Sequence, residues 1–549
     1  MTDYSSPAPQ DFAERVRTNQ QHLTSGLKPR YDFIVCGAGS SGSVVARRLA
    51  ENPDVDVLLV EAGGDDTSPS VTESSQWPTN LGSERDWNFR GLPNPRLNGR
   101  SIPFSMGKAL GGGSAINVMI WARGHQSDWD FFARETGDSA WGYDSVLGIY
   151  HRVEDWHGAA DPQYRGTGGP VFVQPAPEPS PLAPATVAAA RSVGIPTFEN
   201  PNGRMMEGPR GAAISDIRSR NSKRESVFRS YTYPYMDRKN LTVLSHALVT
   251  RVILDGNRAT GVEISCRGTT LAVCAEAEVV LSMGAMHTPK VLMHSGIGDQ
   301  AELDRLGIPL RQHLPGVGRN FQDHVALYCI WQDRVPLPPR NNMSESTVYA
   351  TISDSETPDV FICQAELPIA SSDEVTARFG HPPSGWTLAA GLSHPKSRGR
   401  LRLTGPDPQD PIHVDANTFC DPDDVKAAIS LVKLCREIGN ADPLRPFVSR
   451  EFTPGNLHGA GLEDFVRYAA TSYWHSCGTA KMGQDSMSVV DGALRVYGIE
   501  NLRVADGSIM PRITTGNTMA PCVVIGERAA EILADRHGLA DLTKLIPGG

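Results

Sequence analysis

Tyr31-Asp-Phe-Ile-Val-Cys36, followed at once by Gly37-Ala-Gly-Ser-Ser-Gly42, sets the topology of this chain. The first six residues read as a buried strand and the next six as a glycine turn of the form G-x-G-x-x-G. Ser43 to Glu51 then carries Val44, Val45, Ala46 and Leu49 at helical spacing. Val55 to Val60 is a second apolar strand, ending at Glu61. Strand, turn, helix and strand within about thirty residues is the opening unit of a Rossmann-type fold. Each glycine has a task there. Gly37 permits the tight turn, Gly39 lets backbone approach a pyrophosphate, and Gly42 allows close helix–strand packing. Ser40 and Ser41 open the helix, whose N-terminus faces the phosphate charge. Glu61 is positioned to accept hydrogen bonds from an adenosine ribose. This unit suits FAD and NAD equally, and the acid at 61 disfavours NADP.

Outward from this unit, the chain is an ordinary globular sequence. It has 549 residues, 40% hydrophobic and 21% charged, which exceeds one hydrophobic core and implies several domains. A net charge of −10 argues against a broad nucleic-acid surface. Nine scattered Cys with no CxxC argue against a disulfide framework or a zinc site, so no metal is expected. The N-terminus lacks a basic segment followed by an apolar one, and no apolar run spans a bilayer. The expectation is a cytoplasmic protein without membrane or nucleic-acid partners.

Residues 1–30 read as an N-terminal extension with one helical possibility, Asp11 to Gln21. Residues 64–105 read as loop. Strand-like runs follow at Leu241–Leu244, Val249–Leu254, Gly261–Ser265, Leu271–Cys274 and Glu278–Leu281, with Asp255-Gly-Asn257 as a hairpin turn. Residues 330–420 read as mixed strands and polar loops. Helical patterns return at Asp423–Ile438, Gly461–Ala470 and Ala520–His537.

Three further segments decide between cofactors. The first is Gly107-Lys-Ala-Leu-Gly-Gly-Gly-Ser-Ala-Ile-Asn117, followed by Arg123-Gly124. The second holds Ser295-Gly-Ile-Gly298, Leu306-Gly-Ile-Pro309, Leu314-Pro-Gly-Val-Gly318 and Asn320-Phe-Gln-Asp-His324. The third runs from His475-Ser-Cys-Gly-Thr-Ala-Lys-Met-Gly483 through Val504-Ala-Asp-Gly507 to Gly516-Asn-Thr-Met-Ala-Pro521. With the first glycine turn, these resemble the glucose–methanol–choline oxidoreductase family, in order over nearly the whole chain.

The resemblance implies an α/β fold with two domains. A discontinuous Rossmann-type FAD-binding domain would comprise 31–160, 228–325 and 476–549. An α+β substrate domain with a large antiparallel sheet would comprise 161–227 and 326–475. It implies that FAD lies extended, with its adenine at the backbone around Val249 and its flavin near Gly112, Gly113 and Asn117. Asp506, Gly507, Asn517 and Thr518 match positions that hold the pyrophosphate or flavin end. Some members attach FAD through a His just before the second glycine cluster. Ile102-Pro-Phe-Ser-Met106 contains none, so FAD is expected to be non-covalent.

The resemblance also implies the catalytic pair, His475 and Asn517. An imidazole has an ordinary pKa of about 6.5 and can take a proton near neutral pH. Asn517 can only hydrogen-bond, so its expected part is to hold the alcohol oxygen. Tyr473 and Trp474 are candidate pocket walls. His287, His294 and His313 lack metal-like spacing and read as structural, and His324 as architectural. The expected activity is oxidation of a small-molecule alcohol, primary on this reading, to the aldehyde by hydride transfer to flavin. O2 is preferred as acceptor over a quinone or dye. A dehydrogenase, or a non-oxidising FAD lyase on the same scaffold, is the alternative. A choline-like cation would call for a carboxylate and an aromatic cage, which the sequence does not reveal.

Overall fold

The computed structural model describes residues 9–539, and two seven-stranded sheets dominate it. In the first sheet the strands run Leu241–Leu244, Val57–Val60, Arg30–Cys36, Thr269–Leu281, Arg258–Cys266 and Ala247–Asp255, with Leu502–Val504 also on Thr269–Leu281. Leu241–Leu244, Val57–Val60, Arg30–Cys36, Thr269–Leu281 and Leu502–Val504 pair in parallel. The remaining strands form antiparallel hairpins. Ile34, Val35 and Cys36 are fully buried, as are Val57, Leu58 and Leu59. Continuous apolar runs are what a strand covered on both faces requires. The Ser40–Ala50 helix covers one face and packs against the Met519–His537 helix.

Two sequence expectations change here. Leu271–Cys274 and Glu278–Leu281 belong to one strand, Thr269–Leu281. Ala275-Glu-Ala277 between them has little preference for a strand, but neighbours on both sides override it. Arg258–Cys266 pairs with the first half of that strand and Leu502–Val504 with the second. At the N-terminus the helix is longer than expected, Pro9–Ser25, and it is anchored to the fold. Gln20 Nε2 donates to the carbonyls of Met236 and Leu241, and Gln20 Oε1 accepts from Val243 N–H. The helix thereby covers the sheet edge at Leu241–Leu244. Residues 1–8 of the expected extension lie outside the described residues.

The second sheet is antiparallel throughout. Its order is Val448–Thr453, Val325–Asp333, Gly385–Leu392, Val360–Ala365, Ser346–Ala350 and Gly211–Ile214, with Thr471–Ser472 also on Val325–Asp333. The Pro422–Gly439 helix packs on it. One pairing positions the site. Val325 lies opposite Ser472, and Tyr473 N–H donates to the His324 carbonyl at 3.1 Å. That register brings the end of the Asn320–His324 segment against the start of the His475 segment.

Candidate active site

The two glycine clusters touch. Gly112 adopts φ +51°, and a Cβ there would lie 2.7 Å from the Gly39 Cα. Gly111 N–H donates to the Ala38 carbonyl at 2.8 Å. Within the first turn, a Cβ on Gly42 would sit 1.9 Å from the Gly37 carbonyl oxygen, so only glycine permits this helix–strand approach. Gly39 caps the Ser40–Ala50 helix without any side-chain hydrogen bond. The first N–H groups of that helix therefore form an anion cradle. Ser41 Oγ donates to the Cys522 carbonyl at 2.7 Å, which ties the cradle to the C-terminal helix.

One continuous cavity runs from this cradle to the catalytic residues. Gly37, Gly39, Ser40, Ser41, Glu61 and Val249 line one end, and Gly112, Gly113, Asn117, Asp506, Gly507, His475, Asn517 and Thr518 line it further along. Gly42 packs behind the turn. Glu61 accepts from Ala38 N–H at 3.0 Å and Gly63 N–H at 2.8 Å, and burial pushes its pKa up to about 7. Asp506 accepts from the N–H groups of Gly284 and Ser508 and from the Thr288 hydroxyl. Its carboxylate is thus occupied by chain donors and fixes the cavity wall. An elongated cavity with an anion cradle, a buried acid at the strand end and close-approach glycines fits an extended dinucleotide such as FAD.

At the other end the chemistry is concentrated on His475. Its Nδ1 lies 2.8 Å from His324 Nδ1, and its Nε2 lies 3.2 Å from Asn517 Nδ2. His324 Nε2 lies 3.0 Å from the Thr514 carbonyl, which can only accept, so that nitrogen carries the proton. Neutral His324 then accepts at Nδ1, and His475 must donate from Nδ1. The His475 Nε2 is left as a lone pair beside Asn517, whose amide N–H donates to it. Both contacts select the same tautomer. Burial holds the His475 pKa down at about 3 and drives that of His324 well below its ordinary value, so both rings are neutral around pH 7.

Two carboxylates set this geometry from outside the cavity. Asp323 accepts from His475 N–H at 2.9 Å and from the Ser472 hydroxyl, and burial raises its pKa to about 7. Asp128 accepts from Thr515 N–H at 2.7 Å, from His125 N–H and from His394, and so fixes the turn that presents the Thr514 carbonyl. Neither acid stood out in the sequence. Asp323 and His324 lie inside a recognised segment, yet only folding reveals their contact with His475.

The wall around His475 is apolar. Tyr473 stacks on His475 with ring centroids 5.2 Å apart, and its hydroxyl donates to the Ala389 carbonyl. Trp474, at φ +63°, packs edge-on against Trp77 at 6.5 Å. Tyr328, Cys363 and Ile369 from the second sheet and its loops complete this part of the lining. Trp77 and Trp87 come from the 64–105 segment, where no local pattern marked them. His287 was read as structural, but it lines the cavity against Trp87 with centroids 4.0 Å apart. Among the described residues that line the cavity, Glu61 and Asp506 are the only carboxylates. No group of described residues could hold a metal ion, and none of the described helices is long and apolar enough to cross a membrane.

A family model described as GMC oxidoreductase matches in two parts, its N-terminal domain over residues 31–326 and its C-terminal domain over 395–526. The chain is 34% identical to an oxygen-dependent choline dehydrogenase of Rhizobium etli over 542 residues, covering 93% of this chain and 96% of the relative. It is 33% identical to an alcohol dehydrogenase [acceptor] of Pseudomonas putida, covering 94% and 98%. Among solved structures, pyridoxine 4-oxidase from Mesorbium loti superposes with a TM-score of 0.86 at 33% identity, covering 91% of this chain and 98% of that one.

Proposed function

Because the chain belongs to the GMC oxidoreductase family, and is therefore an FAD-dependent enzyme of alcohol-type substrates, we propose that it oxidises a neutral, largely apolar primary alcohol to the aldehyde. O2 is the proposed acceptor and hydrogen peroxide the co-product. The observation that carries the catalytic part is the chain of contacts from Thr514 through His324 to His475 and Asn517. It supports His475 as the base and Asn517 as the group that holds the alcohol oxygen.

When bound, FAD supplies an acceptor for the hydride leaving the carbinol carbon. His475 Nε2 takes the hydroxyl proton. Its Nδ1–H stays on His324, so the ring is held in the accepting tautomer before substrate arrives. An N–H of Asn517 turns from Nε2 to the alcohol oxygen as negative charge develops there. Tyr473 and Trp474 exclude water from this corner, which strengthens both contacts. The imidazolium formed at His475 is buried, and its positive charge lies beside the cavity where reduced oxygen species would bear negative charge.

The neutral-substrate reading rests on the lining. A cationic alcohol such as choline would enter a corner walled by Trp77, Trp474, Tyr473 and Tyr328 without an acidic side chain in that wall. We likewise place the FAD-binding domain on 31–160, 228–325 and 476–549 and the substrate domain on 161–227 and 326–475. Membership of the two sheets supports this division. The test is an anaerobic panel of benzylic, furanic, aliphatic and choline-type alcohols, scored by bleaching of the flavin band. Peroxide yield is then measured in air. Bleaching by the neutral alcohols with one peroxide per aldehyde is the expected result. Preferential bleaching by choline overturns the substrate assignment, and dye-linked turnover without peroxide overturns the acceptor.

A further inference from the structure

Two arginines lie buried behind the flavin end of the cavity without a carboxylate partner. Arg218 is 1% exposed and Arg224 is 6% exposed. Among the described residues, neither makes an ion pair within 4.0 Å of an acid. Arg123 and Arg165, by contrast, share Glu154, and Arg165 also meets Asp216. Arg100, 8% exposed, likewise has no acid within 4.0 Å among the described residues, but it bonds the Ala470 carbonyl and neither residue lines the cavity. A guanidinium stays protonated in proteins, so Arg218 and Arg224 are two buried positive charges without an ion-pair partner beside the cavity wall.

Both charges lean on residues of the cavity wall. Arg224 Nη1 donates to Asn117 Oδ1 at 2.9 Å and to the Ser114 carbonyl, and its Nε donates to the Val71 carbonyl. Arg218 Nη1 donates to the Met519 sulfur at 3.3 Å, and its Nη2 to Ser230. Asn117 Nδ2 donates to the same sulfur at 3.2 Å. Asn117 and Met519 both line the cavity. Arg224 Nη2 and Arg218 Nε, though buried, have no hydrogen-bond acceptor. Isolated buried charge is costly unless something in the functional state offsets it. Hydride transfer delivers two electrons and one proton, which leaves the acceptor with one more negative charge than it had.

We propose that Arg218 and Arg224 are electrostatic residues that act through Met519 and Asn117 to stabilise the negative charge of reduced FAD, and so raise its reduction potential. The proposal rests on the reading that places the flavin beside Asn117. Removing either charge lowers the potential. Restoring it with lysine returns much of the shift, because a field depends on charge and a merely structural arginine depends on its fork of donors.

The test is the midpoint potential of the purified holoenzyme, measured anaerobically against reference dyes. Arg224→Met and Arg218→Met are each expected to shift the reduction equilibrium about tenfold towards oxidised FAD, about 30 mV for a two-electron couple. Arg224→Lys and Arg218→Lys are expected to lie closer to wild type. Methionine variants that bind FAD at the wild-type potential overturn the proposal, as do lysine variants that shift as far as the methionine ones. The wild-type enzyme gives an independent reading if the methionine variants fail to fold. Its potential is expected to fall with one proton per two electrons from pH 6 to pH 9, because reduced FAD stays anionic. Two protons per two electrons over that range overturns the proposal. Asn117→Ser separates the underlying reading: a shifted flavin absorption band keeps the flavin at Asn117, and an unshifted band removes that placement.

Discussion

His324→Phe isolates the part of the mechanism that depends on which nitrogen of His475 bears the proton. In the folded protein His324 Nδ1 accepts from His475 Nδ1–H at 2.8 Å, and this leaves Nε2 as a lone pair. Phenylalanine keeps a ring in the space beside Phe361, whose centroid is 4.9 Å away, but offers no acceptor. The buried His475 Nδ1–H then loses its partner, a cost of roughly 1–3 kcal/mol. The other tautomer escapes that cost. Its Nε2–H can donate to Asn517 Oδ1, which has no partner in the present arrangement. The proton therefore moves to the nitrogen that should be the base. At about 1.4 kcal/mol per tenfold, flavin reduction by alcohol should slow about 5- to 150-fold. The assay is anaerobic stopped-flow at saturating alcohol, with FAD content checked by absorbance. His475→Ala provides the scale, because loss of a general base costs roughly 10²–10⁴-fold. His324→Gln, which retains both an acceptor and a donor, should recover part of the rate. Wild-type reduction by His324→Phe would refute the tautomer argument. A loss well beyond about 150-fold would show that His324 does more than set the tautomer.

Further outcomes follow from the same geometry. Asn517→Asp should slow flavin reduction more than Asn517→His, since a carboxylate opposes charge developing on the alcohol oxygen in a dry corner while an imidazole can still donate; single-turnover rates of the two variants check the order. Acid precipitation should release the flavin into the supernatant, because the Ile102–Met106 stretch offers no His for attachment; yellow colour in the washed pellet would contradict this. Glu366 is buried beside Glu345, and burial together with that neighbour raises its pKa to about 9. The folded protein thus binds a proton there that the unfolded chain has released above pH 4.5, so stability falls as pH rises from 4.5 towards 9. Glu366→Gln should flatten that fall and raise Tm at pH 8.5, as thermal melts across pH would report.

The opening unit was legible because its information is local. Gly37 to Gly42 and Glu61 declare themselves by spacing, and the structure gathers them around one cradle. His475 and Asn517 depended on the family resemblance, since a His among fifteen carries no local mark. What stayed hidden was made by long-range contact. Asp323 reaches His475 only after Val325 pairs with Ser472 across the second sheet. Asp128 matters because Thr515 folds back onto it from nearly four hundred residues away. Trp77 sits in a Pro- and Ser-rich stretch that reads as loop but folds as a 3-10 helix over Ser74–Asn80, too short for an apolar periodicity to indicate that it would face a cavity. The merged Thr269–Leu281 strand went unseen for a related reason: its Ala-Glu-Ala centre is extended by its neighbours and not by its own preference.

The bond from Ser41 to the Cys522 carbonyl carries a consequence for biosynthesis. The glycine cradle is translated well before the helix that buttresses it and the Leu502–Val504 strand that joins its sheet. A nascent chain therefore carries a cofactor fingerprint it cannot close, with the inner face of the Ser40–Ala50 helix still uncovered. Closing the cradle has to wait for a residue 481 positions further along the chain.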